Sequence, residues 1–156
     1  ERLTASPRII DMYGHCAFSV TVEALDEEVE EFVVPGSGYA KHLDDSEDLD
    51  IRNKYTVTEK VEIALAMAES IADLHGFKDG IIVHDDIQLC QWLRTKEGKL
   101  KLGDFNRAEV MLWDDEAQEY CKYNNGQGFG NYRAPEEFAA EDLNEQIDVF
   151  SMGNNI

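Results

Sequence analysis

Residues 84–106 of the chain have the sequence HDDIQLCQWLRTKEGKLKLGDFN. Two acidic residues near the ends of this stretch, Asp86 and Asp104, lie 18 positions apart. Between them, residues 91–94 and 99–102 have the pattern of two short strands joined by a glycine-containing turn, which predicts a β-hairpin. The stretch therefore combines a predicted hairpin with two acidic residues, Asp86 and Asp104, that are candidate functional residues.

The segment before this stretch has the pattern of a long amphipathic helix. Thr56 and Glu59 form a capping-box pattern, in which a hydroxyl residue is followed three positions later by Glu. Gly76 supplies a C-terminal stop signal, and a short strand is expected at residues 81–83. The predicted helix is about 20 residues long. The residues expected on its buried face are Val61, Ala64, Leu65, Ala68, Ile71, Ala72 and His75.

The first third of the chain has two strand-like segments followed by an acidic connector. β-Branched and aromatic residues predict strands at residues 8–13 and 17–23, with Gly14 and His15 between them. Residues 26–54 carry many acidic side chains, and we expect them to form a loop with one short helix.

The last third of the chain has weaker periodic signals. We expect residues 104–136 to be mostly loop. A buried helix is predicted to begin near Asn144 and to continue toward Ile156. The sequence has no internal repeat.

Composition and charge exclude several classes of partner. The chain has 156 residues, with 33 acidic and 14 basic side chains and a net charge of −19. Nucleic acids and anionic membranes attract clusters of Lys and Arg, so neither is an expected partner. Three cysteines without a close pair favour a reducing compartment. We therefore expect a cytoplasmic location, or the cytoplasmic side of a membrane-anchored parent protein.

Four short motifs occur in a specific order along the chain. They are residues 84–93, D-F-N at 104–106, A-P-E at 134–136 and D-V-F-S-M-G at 148–153. In this order they resemble the protein kinase family, whose motifs are H-R-D-L-x-x-x-N, D-F-G, A-P-E and D-V-x-S-x-G. The resemblance covers nearly all of the chain and implies a partial protein-kinase-like fold of the α+β class.

The resemblance also implies how the chain is divided. Residues 1–26 fit the last strands and the hinge of the small lobe. Residues 27–156 fit the helical core of the large lobe, truncated in the helix that begins near Asp148. Asp148 and His84 are expected to hold the backbone of the catalytic loop. The chain contains neither a Gly-rich loop nor a strand Lys of the V-A-I-K type, so ATP binding is expected of the complete parent.

Each residue that matches a family motif acquires an expected role. Asp86 corresponds to the carboxylate that accepts or orients the substrate hydroxyl, with His84 and Gln88 as further catalytic-loop positions. Asp104 and Gln91 correspond to the ligands of Mg²⁺, and Phe105 adjoins the cofactor site. The implied cofactors are ATP and Mg²⁺, and the implied partner is a protein substrate or a signalling protein.

Four positions depart from the family pattern. Asp85 replaces Arg and puts a second carboxylate beside Asp86, which disfavours the charged form of both. Gln88 replaces Lys, so no cation is expected near the transferred phosphate. Gln91 replaces Asn and is longer by one methylene. Asn106 replaces the glycine of D-F-G, where Asn is the residue that best tolerates a left-handed backbone.

The activation segment, defined as residues 104–136, lacks a common regulatory group. It contains no Ser and no Thr, so a phosphothreonine switch is excluded within it. The available hydroxyls are those of Tyr120, Tyr123 and Tyr132. Phe129 stands where Ser/Thr kinases carry Thr, and this loss agrees with the loss of Lys at Gln88. The departures together form a coherent variant.

Three functions are consistent with these residues. The first is a protein kinase in which Asp86 is the base, and the second is a pseudokinase that acts as a binding or scaffolding module. The third is a phosphotransferase for small molecules, which the A-P-E motif and residues 148–153 disfavour. The choice between Ser/Thr and Tyr specificity stays open.

Overall fold

A computed structural model describes residues 6–17, 19–34 and 55–156. These residues form a mixed α+β structure. Its helices are α1 (Val29–Val33), α2 (Val57–His75), α3 (Pro135–Phe138) and α4 (Gln146–Asn155). Its strands are β1 (Met12–Cys16), β2 (Ser19–Val22), β3 (Glu27–Glu28), β4 (Ile81–Val83), β5 (Trp92–Arg94), β6 (Leu100–Leu102), β7 (Glu109–Met111), β8 (Trp113–Asp114) and β9 (Glu119–Tyr120).

The strands pair into small antiparallel sheets. β1 pairs with β2, β5 lies between β3 and β6, β4 pairs with β7, and β8 pairs with β9. Ile9 forms an isolated parallel bridge with Leu102, and the Ile10 backbone nitrogen donates to the Leu102 carbonyl at 2.9 Å. This bridge joins the N-terminal segment to the strand that directly precedes residues 103–106.

Helix α2 has the predicted ends. The Glu59 backbone nitrogen donates to the Thr56 hydroxyl at 3.3 Å, and the Glu59 carboxylate accepts from the Thr56 backbone nitrogen at 2.7 Å. At the other end, the Gly76 nitrogen donates to the Ala72 carbonyl at 2.8 Å. Reciprocal capping satisfies backbone donors that the first turn leaves unpaired.

The predicted buried face of α2 was wrong by part of a turn. Val61 and Leu65 are 61% and 56% exposed. The buried side chains are Met67, Ser70, Ile71 and Leu74. The helix is rich in Ala and aliphatic residues on more than one face, so the 3.6-residue period alone does not select the face that packs.

The hairpin of β5 and β6 has the predicted position and packs beneath α2. Trp92 pairs with Leu102, and Arg94 pairs with Leu100. The Trp92 side chain is fully buried, and its indole nitrogen donates to the buried Ser70 hydroxyl at 2.8 Å. The larger hydrophobic core comprises Ile9, Val29, Met67, Ile71, Leu74, Ile82, Ile87, Trp92, Leu100 and Leu102.

A second hydrophobic cluster includes two residues of the activation segment. It comprises Val83, Met111, Ala134, Leu143 and Ile147. The expectation of mostly loop for residues 104–136 is confirmed, although the short strands β7, β8 and β9 and the start of α3 also lie there. These elements are two to four residues long, too short for a periodic pattern.

The remaining predictions differ from the structure at their boundaries. The first strand begins at Met12 and includes Gly14 and His15, which were expected between the strands. The short helix expected in the acidic connector is α1, and the part of that connector at residues 35–54 lies outside the described residues. Helix α4 lies where a helix was expected, but it buries one face only, since Val149 and Phe150 are exposed.

Candidate functional site

The backbone of the loop after β4 is held by one buried carboxylate from α4. Asp148 Oδ2 accepts from the His84 backbone nitrogen at 2.8 Å, and Oδ1 accepts from the Asp85 nitrogen at 3.0 Å. His75 Nε2 lies 2.9 Å from the same Oδ2. Asp148 is 1% exposed. Its carboxylate therefore fixes the start of the loop from below, as the sequence indicates for this residue.

Asp86 accepts hydrogen bonds from four side chains. Its Oδ1 atom accepts from Gln88 Nε2 at 3.0 Å, from the Tyr132 hydroxyl at 3.1 Å and from Arg133 Nη2 at 2.9 Å. Its Oδ2 atom accepts from Gln91 Nε2 at 3.1 Å. Burial, followed by the charge of Asp86, raises the pKa of Tyr132, which keeps this hydroxyl a donor. The Asp86 carboxylate thus has a fixed orientation.

Arg133 supplies a cation that the sequence analysis missed. Its side chain is 7% exposed, and its guanidinium contacts three carboxylates, with Glu137 Oε1 at 2.7 Å, Asp86 Oδ1 at 2.9 Å and Asp85 Oδ1 at 3.5 Å. Its Nε atom also donates to the Phe129 carbonyl at 2.9 Å. Burial opposes the charge, but the bond to Glu137 and the other charges raise the pKa of Arg133.

The loss of Lys at position 88 therefore does not leave Asp86 without a cation, because Arg133 pairs with it. Arg133 directly precedes the A-P-E motif, at a position that the family pattern does not specify. No sequence signal connects it to Asp86, because 47 positions separate the two residues.

Asp85 is buried and has a left-handed backbone, with φ of 60°. Its carboxylate contacts Arg107 Nη2 at 3.3 Å and Arg133 Nη1 at 3.5 Å, and it accepts a hydrogen bond from Asn125 Nδ2. Burial raises the pKa of Asp85, whereas the bond from Asn125 and the two cations oppose that rise. The second carboxylate beside Asp86 is thus compensated by side chains of the activation segment.

Two hydrogen bonds join the Asp86 loop to the segment that contains Asp104. His84 Nε2 donates to the Gly103 carbonyl at 2.7 Å, and the Gly103 nitrogen donates to the Gln91 carbonyl at 2.8 Å. The Phe105 ring packs against the His84 ring, with centroids 5.1 Å apart. The exposed Asp104 follows Gly103 directly, so these contacts determine where its backbone lies.

Comparison with known proteins identifies this arrangement. The sequence profile of the protein kinase domain matches residues 3–156. The chain belongs to the protein kinase domain family. Its structure is a partial protein-kinase-like fold, as the motif order implies.

Two Arabidopsis thaliana relatives in the kinase family match most of the chain. It is 28% identical over 147 residues to calmodulin-binding receptor-like cytoplasmic kinase 1. This match covers 93% of the chain and 28% of that protein. The chain is 30% identical over 151 residues to a serine/threonine-protein kinase-like protein. This match covers 95% of the chain and 39% of that protein. The chain therefore spans less than half the length of these relatives.

The backbone around the kinase D-F-G position differs from the sequence expectation. The left-handed residue is Asp104, with φ of 53°, whereas Asn106 lies in a 3₁₀ turn at Phe105–Arg107. Asp is among the non-glycine residues that tolerate this conformation. Asn106, which replaces the glycine of D-F-G, therefore does not have to adopt a left-handed backbone.

The residues expected to hold Mg²⁺ suit that ion chemically. Asp104 presents an exposed carboxylate, and Gln91 directs its amide nitrogen at Asp86, which leaves the amide oxygen for another partner. Mg²⁺ prefers oxygen ligands and is commonly held by one or two protein groups together with phosphates. Among the described residues, no group of three His, Cys, Asp or Glu side chains could enclose a metal by itself.

The segment that the kinase pattern equates with the hinge is fixed by a buried cation. Lys101, on β6, has its ammonium group 3.2 Å from Asp11 Oδ2, and it also pairs with Glu23. The Glu23 carboxylate accepts from the Asp11 backbone nitrogen at 2.7 Å. Burial opposes the charge, but the bonds to Glu23 and Asp11 raise the pKa of Lys101.

No helix in the part of the chain that the structure describes combines the length and apolarity needed to cross a membrane.

Proposed function

We propose that the protein containing this chain binds ATP with Mg²⁺ and transfers the γ-phosphate to a hydroxyl group of a protein substrate. The main support is the position of Gln91, whose side chain donates to Asp86 and whose carbonyl accepts from Gly103. Asp104 follows Gly103 in the chain. One residue thus connects the candidate base with the candidate metal ligand.

Asp86 is the proposed acceptor of the substrate hydroxyl proton. Among the described side chains, three donate to Oδ1 and one donates to Oδ2. A carboxylate oxygen accepts about two hydrogen bonds through its lone pairs. Oδ2 therefore has capacity for one further donor, and a substrate hydroxyl is a donor of suitable chemistry. Gln88, Gln91 and Arg133 act as positioning residues, because each holds the carboxylate plane.

Bound Mg²⁺ would neutralise the charge that develops on the phosphate oxygens during transfer. Asp104 and Gln91 are the proposed ligands of that ion. His84 and Phe105 are proposed to position Asp104. The His84 ring bonds to the Gly103 carbonyl and packs against the Phe105 ring, so the residues on both sides of Asp104 are held in place.

The proposed division of the chain follows the motif order. Residues 1–26 would form the end of the small lobe and the hinge, and residues 27–156 would belong to the large lobe. The three cysteines of the chain, Cys16, Cys90 and Cys121, are free thiols in the described structure. This supports the proposal of a reducing, cytoplasmic environment.

Phosphate transfer by the full-length protein tests the proposal. Purified protein is incubated with Mg²⁺, γ-labelled ATP and casein, and label on protein is counted. Asp86→Asn is expected to reduce transfer by about 100-fold or more, as removal of a general base does. Asp104→Asn should reduce it as well, whereas Asp115→Asn, an exposed position, serves as the matched control. Transfer that is unchanged by Asp86→Asn would contradict the assigned role.

A pseudokinase that binds partners without transfer is the second candidate. The specific observation in its favour is that Tyr132 and Arg133 of the activation segment both donate to Asp86. In such a protein the carboxylate would serve packing of this segment and not proton transfer. A folded full-length protein that transfers no label to casein or to itself, with or without Mg²⁺, would support this candidate. Robust label transfer would exclude it.

A further inference from the structure

Asp85 contacts the activation segment at three separate points. Arg107 lies near the start of the segment, Asn125 in its second half and Arg133 near its end, and all three donate to the Asp85 carboxylate. The Asp85 carbonyl also accepts from Arg107 Nε at 3.2 Å and from Arg133 Nη1 at 2.9 Å. One buried residue of the catalytic loop thus contacts side chains from positions far apart in the activation segment.

The charges at this position are the reverse of those in a phosphate-controlled segment. In such a segment, an added phosphate pairs with Arg side chains and orders the loop. Here the anion is part of the catalytic loop, and the Arg side chains belong to the segment. The segment also contains no Ser or Thr, so its hydroxyl groups are those of Tyr120, Tyr123 and Tyr132, and the Tyr132 hydroxyl donates to Asp86. We propose that Asp85 is a built-in anion that orders the activation segment without phosphorylation.

The anion is held rigidly in place. The Asp85 backbone nitrogen donates to Asp148 at 3.0 Å. The side chain is fully buried, so water does not compete for its oxygens. Hydrogen bonds to a charged group contribute more than neutral ones, and they contribute most where solvent is excluded. These features make Asp85 a fixed anchor for Arg107 and Arg133.

The neighbouring charges are balanced around this anchor. Asp86 and Glu137 share the guanidinium of Arg133, and Asp148 lies behind the Asp85 backbone. The Arg107 side chain is 38% exposed. Among the described residues, Asp85 is the only carboxylate with which it forms an ion pair. Loss of Arg107 should therefore loosen the segment without leaving other carboxylates unpaired.

Hydrogen exchange of backbone amides, followed by mass spectrometry on the full-length protein, tests the proposal. Wild-type protein treated with a phosphatase should retain protection at residues 107–133. Asp85→Asn should increase exchange there by about tenfold, as expected when charge-assisted bonds are lost, with α2 unchanged. Loss of protection after phosphatase treatment would overturn the proposal, as would protection that persists in Asp85→Asn.

Milder variants keep the test decisive if Asp85→Asn fails to fold. Arg107→Met and Asn125→Ala should each increase exchange in the segment, and the double variant should increase it further. Lys122→Met is the matched control, because it removes an exposed positive charge from the same segment and should leave exchange unchanged. Exchange in Arg107→Met and Asn125→Ala equal to that of the control would overturn the proposal.

The importance of this ordering for phosphate transfer rests on the proposed function, but the measurement does not. A protein that transfers no phosphate and still shows Asp85-dependent protection would refute the proposed activity alone. A protein that transfers phosphate with a segment insensitive to Asp85 would refute the anchor alone.

Discussion

The guanidinium of Arg133 lies 2.9 Å from the carboxylate of Asp86, although 47 positions separate them in the chain. The pair joins the loop after β4 to the residue that precedes the A-P-E motif. Its cation compensates for the two adjacent carboxylates that the sequence places in this loop. The local chemistry of the site therefore depends on a contact between distant segments.

Replacement of Arg133 by Met should destabilise the protein by about 3–5 kcal/mol, since it leaves buried carboxylates without their cation. The variant retains a side chain of similar length, so most of the packing is kept. Urea unfolding followed by tryptophan fluorescence measures the change. Lys122→Met is the control and should change the free energy of unfolding by about 0.5 kcal/mol or less, because that side chain is exposed. Equal losses for the two variants would contradict this assignment.

Asp148 provides a second stability prediction. Asp148→Ala removes the acceptor for the buried backbone nitrogens of His84 and Asp85. Each buried donor left without a partner costs about 1–3 kcal/mol, so a total loss of about 2–5 kcal/mol is expected. The free energy of unfolding in urea checks this value. Asp142→Ala, at an exposed position, should change it by about 0.5 kcal/mol or less.

The elements predicted correctly from sequence are those defined by local signals. The ends of α2 follow from Thr56, Glu59 and Gly76, and the hairpin of β5 and β6 follows from neighbouring residues. In contrast, β7 exists because it pairs with β4, with Met111 opposite Ile81. No pattern within three residues specifies such a distant partner.

The candidate site shows the same division between local and distant information. Asp86, Gln91 and Asp104 were assigned by motif order, and the match to the protein kinase domain confirms the family to which those motifs belong. The partners of Asp85 could not be predicted, because Arg107, Asn125 and Arg133 reach it only after the segment folds over the loop. Their positions depend on tertiary packing and not on the spacing of residues.

The buried bond between Trp92 and Ser70 gives a third prediction. Ser70→Ala leaves the Trp92 indole nitrogen buried without its acceptor, at a cost of about 1–3 kcal/mol. Trp92→Phe removes the donor together with part of the core contact. In the double variant no buried donor is left unpaired. It should therefore lose about 0.5–1.5 kcal/mol less than the two single losses combined. Urea unfolding of all four proteins measures this coupling, and strictly additive losses would argue against the bond.

Cys90 gives a prediction about pH. Burial, followed by the charges of Glu30 and Glu28, raises the pKa of Cys90 from 9.0 to about 11. A shift of this size lowers the thiolate fraction at pH 8 by about 100-fold, and the thiolate is the form that reacts with iodoacetamide. Labelling of Cys90 should therefore be slow at pH 7. Its rate should increase about tenfold per pH unit up to pH 9 without a plateau, because ionisation is still far from complete there. Peptide mass spectrometry measures this rate, with the exposed Cys16 and Cys121 as internal controls for reagent and exposure. Two outcomes would contradict this prediction: labelling of Cys90 as fast as that of the exposed cysteines, or a rate that levels off below pH 9. Either would show that the thiol is more exposed to water, or farther from Glu28 and Glu30, than in the structure.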